Sequence, residues 1–266
     1  MVALAGISWS FAGSLGKLSP WSAFSLVAFR GLIAVIMLGL IRRSFRPSKG
    51  NGNWIGAIGV LGTCILFMYA NKLTSSANAI VLQYAMTVIV IAEQALLFHT
   101  RPRRMDILAA TLVIVGVVLC FCQNLGKGAL LGDVLALASA ATYSFVFLAA
   151  RFPGTNPLSY AYQGNLLCCL FLFVLPMDPG VSTGGLTGWL IAGAMGICLG
   201  MGYFCFSEGM KTGLSPTTAS IVSNIEPVLN PLWVLLFIGD SPGILSLSGA
   251  AVVLVTVTVY SLAKGN

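Results

Sequence analysis

Residues 215–237 carry the decisive reading: Ser215-Pro216-Thr217-Thr218-Ala219-Ser220-Ile221-Val222-Ser223-Asn224-Ile225-Glu226-Pro227-Val228-Leu229-Asn230-Pro231-Leu232-Trp233, then an apolar run to Phe237. The stretch has the length of a membrane-crossing helix, which needs about 20 mostly apolar residues. Yet an acid, two asparagines and two prolines stand near its centre. Charge near the middle of a bilayer is expensive, so Glu226 is a functional candidate by default. Each proline removes a backbone hydrogen bond and either frees a carbonyl toward a cavity or kinks the helix. Pro227 and Pro231 are therefore the expected kinks, with Asn224, Glu226 and Asn230 as candidate substrate or coupling residues.

The rest of the chain places this stretch in a membrane. Of 266 residues, 58% are hydrophobic and 8% charged, with a mean hydropathy of +0.95. A soluble domain carries about 25% charged residues; so few charges cannot cover a water-soluble globule of this size. Apolar runs predict spans at about 2–16, 20–41, 53–71, 77–98, 105–122, 130–150, 157–175, 186–207, 215–237 and 243–263. Breakers such as Ser19-Pro20, Arg101-Pro102, Asp178-Pro179-Gly180 and Ser241-Pro242-Gly243 agree with these cuts. The expected fold is an all-α integral membrane protein of ten transmembrane helices, leaving no room for a soluble catalytic domain. The first run is short for a span. Asp106 and Asp133 sit where helix N-caps are expected.

The net charge of +7 would suggest nucleic acid in a soluble protein; here it reads as topology, and no nucleic-acid partner is expected. Arg42, Arg43, Arg46, Lys49, Arg101, Arg103, Arg104, Arg151, Lys211 and Lys264 fall on one side of the ten-span arrangement. Lys17, Lys72 and Lys127 fall on the other. Basic residues concentrate in cytoplasmic loops, so both termini are expected in the cytoplasm, with a bacterial inner membrane as the best fit. The N-terminus lacks the basic segment that opens a signal peptide, so no cleaved leader is expected. The seven cysteines lie in or at the ends of apolar runs, without paired CxxC spacing or a loop-borne disulfide framework. They read as small buried apolar residues, and no metal or cofactor is expected.

The two halves of the chain match in order. Ile55 to Gly59 aligns with Ala192 to Gly196, Ala28 to Gly31 with Ala161 to Gly164, and Ile80 to Gln83 with Ile221 to Asn224. This divides the chain into a first repeat, residues 1–122 (spans 1–5), and a second, residues 130–263 (spans 6–10). Five spans is an odd number, so the second copy runs inverted relative to the first. Inverted repeats that hold a site between them near the bilayer midplane are a transporter architecture.

Span 9 and its exit, from Ser215-Pro216 through Glu226-Pro227 and Asn230-Pro231 to Gly239-Asp240, resemble the EamA-like branch of the drug/metabolite transporter superfamily. Trp9 in span 1, Ser19-Pro20 and Arg30 in span 2 belong to the same resemblance, which covers nearly the whole chain as two EamA-type units. It implies a ten-helix carrier with cytoplasmic termini, many members exporting amino acids or other small metabolites. Two departures stand out. Gly239-Asp240 replaces the usual Gly-Glu, and Tyr84-Ala85-Met86-Thr87-Val88 in span 4 lacks the proline often found there, which leaves the bend of span 4 open.

Other polar residues inside spans complete the candidate set. Arg30 lies in span 2, where it either pairs with Glu226 as a structural bridge or joins it in a substrate or proton site. Glu93, near the cytoplasmic end of span 4, either pairs with Arg101, Arg103 or Arg104 or acts as a gate or proton acceptor. Gln83, Tyr84 and Gln163, with Asn165, either hydrogen-bond a polar solute or hold helices together. Trp9 either walls a cavity or fills space. Glycines at Gly56, Gly59 and Gly62, and at Gly196 and Gly200, suit close helix packing.

No GxxxxGK[ST] pattern supports ATP drive, and no nucleophile–base pair or acidic motif supports an intramembrane enzyme. The expected function is secondary-active transport, by alternating access, of a small polar or amphipathic metabolite. An amino acid, exported, is the best guess: Arg30 can receive its carboxylate, and Glu226 its amine or a coupling proton. The expected partners are this solute, a coupled proton or other ion, and the lipid bilayer. The alternative is an intramembrane channel or a non-transporting membrane scaffold.

Overall fold

The computed structural model of the protein describes residues 1–74, 76–122, 130–238 and 243–265. The side chains of Asn230 and Pro231, and Gly239, Asp240 and Lys127 altogether, lie outside the described residues. The chain is helical, with no strand among the described residues. In order come α1 (Val2–Trp9), α2 (Phe11–Leu18), α3 (Ala23–Arg42), α4 (Asn51–Leu73), α5 (Ser76–Gln83), α6 (Met86–Phe98), α7 (Arg104–Phe121), α8 (Leu130–Ala149) and α9 (Pro157–Cys168). A 3-10 segment (Cys169–Met177) follows, then α10 (Pro179–Thr183), α11 (Gly185–Met210), α12 (Pro216–Ser223), α13 (Ile225–Ile238) and α14 (Ile244–Gly265). Six described segments are long and apolar enough to cross a membrane: α3, α4, residues 79–98, α8, residues 157–177 and α11.

Local chemistry sets several starts. The Ser22 hydroxyl accepts from the Ser25 N–H, Asn156 from Leu158 and Ser215 from Thr218, each side chain capping its helix. Pro157 and Pro216 take the first helical position, where a missing N–H costs nothing. Asp106 and Asp133 are not N-caps, because α7 begins earlier, at Arg104, and Asp133 falls within the first turn of α8. Asp106 instead accepts from the Arg103 N–H at 3.0 Å and from the Tyr260 hydroxyl at 2.6 Å. Asp133 accepts from the Thr74 hydroxyl at 2.7 Å.

Three expected spans are interrupted. The first breaks at Ser10, between α1 and α2. The fourth breaks at Tyr84-Ala85 without any proline. There Ala85 N–H bonds to Leu82 O, Thr87 N–H to Tyr84 O and Val88 N–H to Ala85 O, a tightened turn of i to i−3 bonds. The ninth breaks at Asn224, one residue before α13, so the bend precedes Pro227. Pro227 stands in the first turn of α13, and having no N–H it cannot continue the α12 ladder. Span 7 is an α-helix only to Cys168; the 3-10 segment containing Pro176 completes it.

Helices from opposite ends of the sequence interleave. α4 packs on α8 and α9, α11 packs on α1 and α3, α3 meets α9, α7 meets α14, and α6 meets α12. Small residues allow the closest approaches. A Cβ at Gly164 would overlap the Val60 side chain and come within 2.7 Å of the Ala57 carbonyl oxygen, and one at Gly59 would lie 2.9 Å from the Thr142 carbonyl oxygen. Overpacking a tight core contact costs about 1–3 kcal/mol. Gly164→Val is therefore expected to lower the melting temperature of purified protein by several degrees; an unchanged value would mean that α4 and α9 separate freely.

Lysines in the last turns of α2 and α4 seal neighbouring helix ends. Lys17 donates to the Thr74 carbonyl at 2.9 Å and Lys72 to the Ser19 carbonyl at 2.8 Å. Asp178 accepts from the Ser22 N–H at 2.8 Å and from the Gly180 N–H at 2.9 Å. Partial burial pushes the Asp178 carboxyl up, but hydrogen bonds from Ser25, Ser22 and Gly180 outweigh it and hold the group below its ordinary value. A depressed folded-state value stabilises the fold above the unfolded value of about 3.9, and that contribution is lost as pH falls through the folded value. The melting-temperature gap between wild type and Asp178→Asn should thus be open at pH 6 and close as pH falls below about 4. A gap independent of pH would rule out the ionised carboxylate as its source.

Candidate functional site

The interruptions matter because they converge. The Asn224 amide, at the break before α13, donates to the Thr87 hydroxyl at 3.0 Å, just past the break before α6. The same amide bonds the Ser220 and Ile221 carbonyls of its own helix, which satisfies the loosened backbone. Trp233 of α13 donates to the Ser10 hydroxyl at 2.7 Å and stacks on Phe11 at 4.2 Å, so the break in span 1 is held against the same helix.

Between these breaks lies a cavity of about 50 Å³. Arg30 of α3, Gln83 of α5 and Glu226 of α13 supply its polar wall, with Thr63 and Cys64 of α4. Trp9, Phe67, Tyr143, Leu199 and Tyr203 complete it. The aromatic wall is itself packed: Trp9 meets Tyr203 edge-on at 5.3 Å and Tyr143 at 6.0 Å. A Cβ at Gly202 would overlap the Trp9 indole, so the missing side chain is what admits the ring.

The two charges are not a bridge. Arg30 is 3% exposed; its Nη2 makes one long bond, 3.4 Å, to the Cys64 carbonyl, and its Nε has no partner. Glu226 Oε2 is likewise buried without a partner. Among the described residues the one ion pair within 4.0 Å is Lys211–Glu208. Of the two readings of Arg30, the direct bridge to Glu226 is not formed: both residues face the same cavity but do not touch. Tyr84 and Tyr143 are the phenols that interact with Glu226. A buried charge left without its counter-ion is costly, and a ligand carrying the missing charge recovers that cost.

Other candidates fall elsewhere. Glu93 does not reach Arg101, Arg103 or Arg104; it is half-buried, its Oε2 has no partner, and the polar group it interacts with is Ser144 of α8. Its neighbour Gln94 ties α6 to α12, accepting from the Thr217 N–H and hydroxyl at 3.1 and 3.0 Å. Gln163 is buried with neither amide atom bonded and is not on the cavity wall. Asn224 serves the break, and Tyr84 is not on the cavity wall but interacts with Glu226, which is. Pro227 is buried; for Asn230 and Pro231 only the backbone is placed, in α13. Thr63, Cys64, Phe67, Leu199 and Tyr203 were not singled out in the sequence as wall residues. They stand in helices apolar on every side, where no periodicity marks the inward face.

A helical membrane protein with unpaired charges on a small aromatic-walled cavity between interrupted helices has the features of a solute transporter. The chain belongs to the EamA-like transporter family, whose model matches residues 1–122 and 130–262. It is 24% identical to a protein of Clostridium kluyveri described as an uncharacterized transporter, over 88% of this chain and 81% of that one. A solved structure titled only as the crystal structure of a protein shares the fold, with a TM-score of 0.76 and 20% identity, over 98% of this chain and 96% of the other. This is a multi-pass integral membrane transporter, whose class implies a small-molecule substrate and a lipid surround.

Proposed function

We propose that the protein is a secondary carrier that exports an amino acid or a closely related zwitterionic metabolite by alternating access. The reading takes the chain as ten spans in two inverted repeats, residues 1–122 and 130–263, with both termini in the cytoplasm of a bacterial inner membrane. One observation carries it: Arg30 and Glu226, of opposite charge and unpaired, face one cavity. A zwitterion satisfies both, its carboxylate on the guanidinium and its amine on the carboxylate, while the aromatic wall takes its apolar part. Glu226 is also placed to carry a coupling proton when the amine leaves, with Glu93 as a second proton site nearer the cytoplasm.

The packing supports the repeat. α4 contacts α8 and α9 as α11 contacts α1 and α3, which is the pattern an exchange of spans 1–5 with 6–10 produces. The breaks after Gln83 and at Asn224 fall within a residue or two of aligned positions in spans 4 and 9, and paired interrupted helices surround the site in such carriers. A cavity of about 50 Å³ holds a few waters, so a metabolite requires its walls to part.

The test is counterflow in proteoliposomes, preceded by a thermal-shift screen of amino acids, polyamines, nucleosides and cationic drugs across pH. A binder raises the melting temperature with the logarithm of its concentration. Trans-stimulated, saturable uptake of a zwitterion is the expected result. Uptake without trans-stimulation would indicate a channel, and no solute flux at all would leave a scaffold.

A further inference from the structure

We propose that Cys64 and Cys168 form a dithiol oxidation site on the cavity wall, which a small disulfide closes into a cross-link between α4 and α9. The register of these helices brings the thiols together. Both run in the same direction and meet turn by turn: a Cβ at Gly52 would press on Thr155, one at Gly56 on the Tyr160 ring, and one at Gly164 on Val60. The Asn156 N–H bonds the Asn53 side chain at 3.0 Å on the same ladder. One turn beyond Val60 and Gly164 stand Cys64 and Cys168. Both are buried, neither is in a disulfide, and the register that pairs Val60 with Gly164 sets them side by side, where their side chains interact. The neighbouring thiol of Cys169 turns away to the Asn165 carbonyl at 3.3 Å.

Charge is provided in this conformation, and access comes when the cavity walls part. Cys64 lines the cavity, so a reagent that enters meets it first. The Arg30 guanidinium, bonded to the Cys64 carbonyl and otherwise short of partners, supplies the positive charge against which a thiolate develops. Cys64 attacks one sulfur of a low-molecular-weight disulfide; the S–S bond breaks and the departing thiolate takes up the proton Cys64 gives. Cys168 then attacks the Cys64 sulfur of the mixed disulfide, and the second small thiol leaves with the Cys168 proton. Two protein thiols are oxidised and one small disulfide is reduced to two thiols. A disulfide needs about 4.4–6.8 Å between Cα atoms, and the glycine-mediated approach of α4 and α9 one turn earlier, at Val60 and Gly164, favours that spacing.

The consequence for transport rests on the alternating-access reading, because the cross-link would join spans 3 and 7, assigned to different repeats. The experiment treats purified protein with 2-hydroxyethyl disulfide and maps its peptides. The expected result is loss of two of the seven thiols and a peptide pair linked through Cys64 and Cys168. Cys168→Ala should stop at a hydroxyethylthio adduct on Cys64, and Cys64→Ala should leave Cys168 free. A wild-type map lacking the 64–168 link, or showing a 168–169 link instead, overturns the proposal, and it needs no variant to fold. Counterflow of the cross-linked protein reports separately: full activity with the link present refutes rocking between the repeats while the dithiol site stands. Absence of the link leaves the carrier reading untouched.

Discussion

Glu226→Gln is expected to lower counterflow by about 10- to 100-fold while leaving membrane yield and melting temperature unchanged or slightly raised. A hydrogen bond involving a charged group contributes about 1.5–3 kcal/mol, and each 1.4 kcal/mol is about tenfold. Glutamine keeps the shape and loses both the charge for an amine and the capacity to exchange a proton. Stability should not suffer, because Glu226 has no ion-pair partner to strand. If activity and melting temperature fall together, the carboxylate is a packing element and the zwitterion reading fails.

Arg30→Lys tests the other end of the solute. Lysine keeps the charge but not the planar fork that matches a carboxylate. Losing one of two charge-assisted bonds predicts a rise of roughly tenfold in the concentration for half-maximal counterflow, with the maximal rate less affected. An unchanged half-saturation value would remove Arg30 from substrate contact. Arg30 would then be a helix-positioning residue acting through the Cys64 carbonyl it reaches at 3.4 Å.

The fold class was legible because composition alone excludes a soluble globule, and Glu226 and Arg30 were legible because charge inside an apolar run is conspicuous. The break in span 4 was not, since no proline announces it. Tyr84-Ala85 bends where the packing against the interrupted ninth span demands it, with Asn224 reaching Thr87. Prolines marked span 9, and its bend falls at Asn224, in the turn ahead of Pro227, where a proline's missing N–H acts. Of the two readings of Glu93, the ion pair with the basic loop is not formed, and the group interacts with Ser144 of another helix instead. Gln163 looked like Gln83 in sequence; only tertiary placement puts Gln83 on the cavity wall and leaves Gln163 off it.

The neighbours of α4 bear on how the protein is made. Gly56 of α4 meets Tyr160, Gly59 meets Thr142 and Phe145, and Gly62 meets Thr142, all emerging from the ribosome at least 80 residues later. During translation this glycine-lined face has no mate in the bilayer, and α4 must wait, shielded by lipid or an insertion factor, until α8 and α9 arrive. Fragments cut after residue 122 should therefore depend on co-expression with the remainder to survive quality control in the cell.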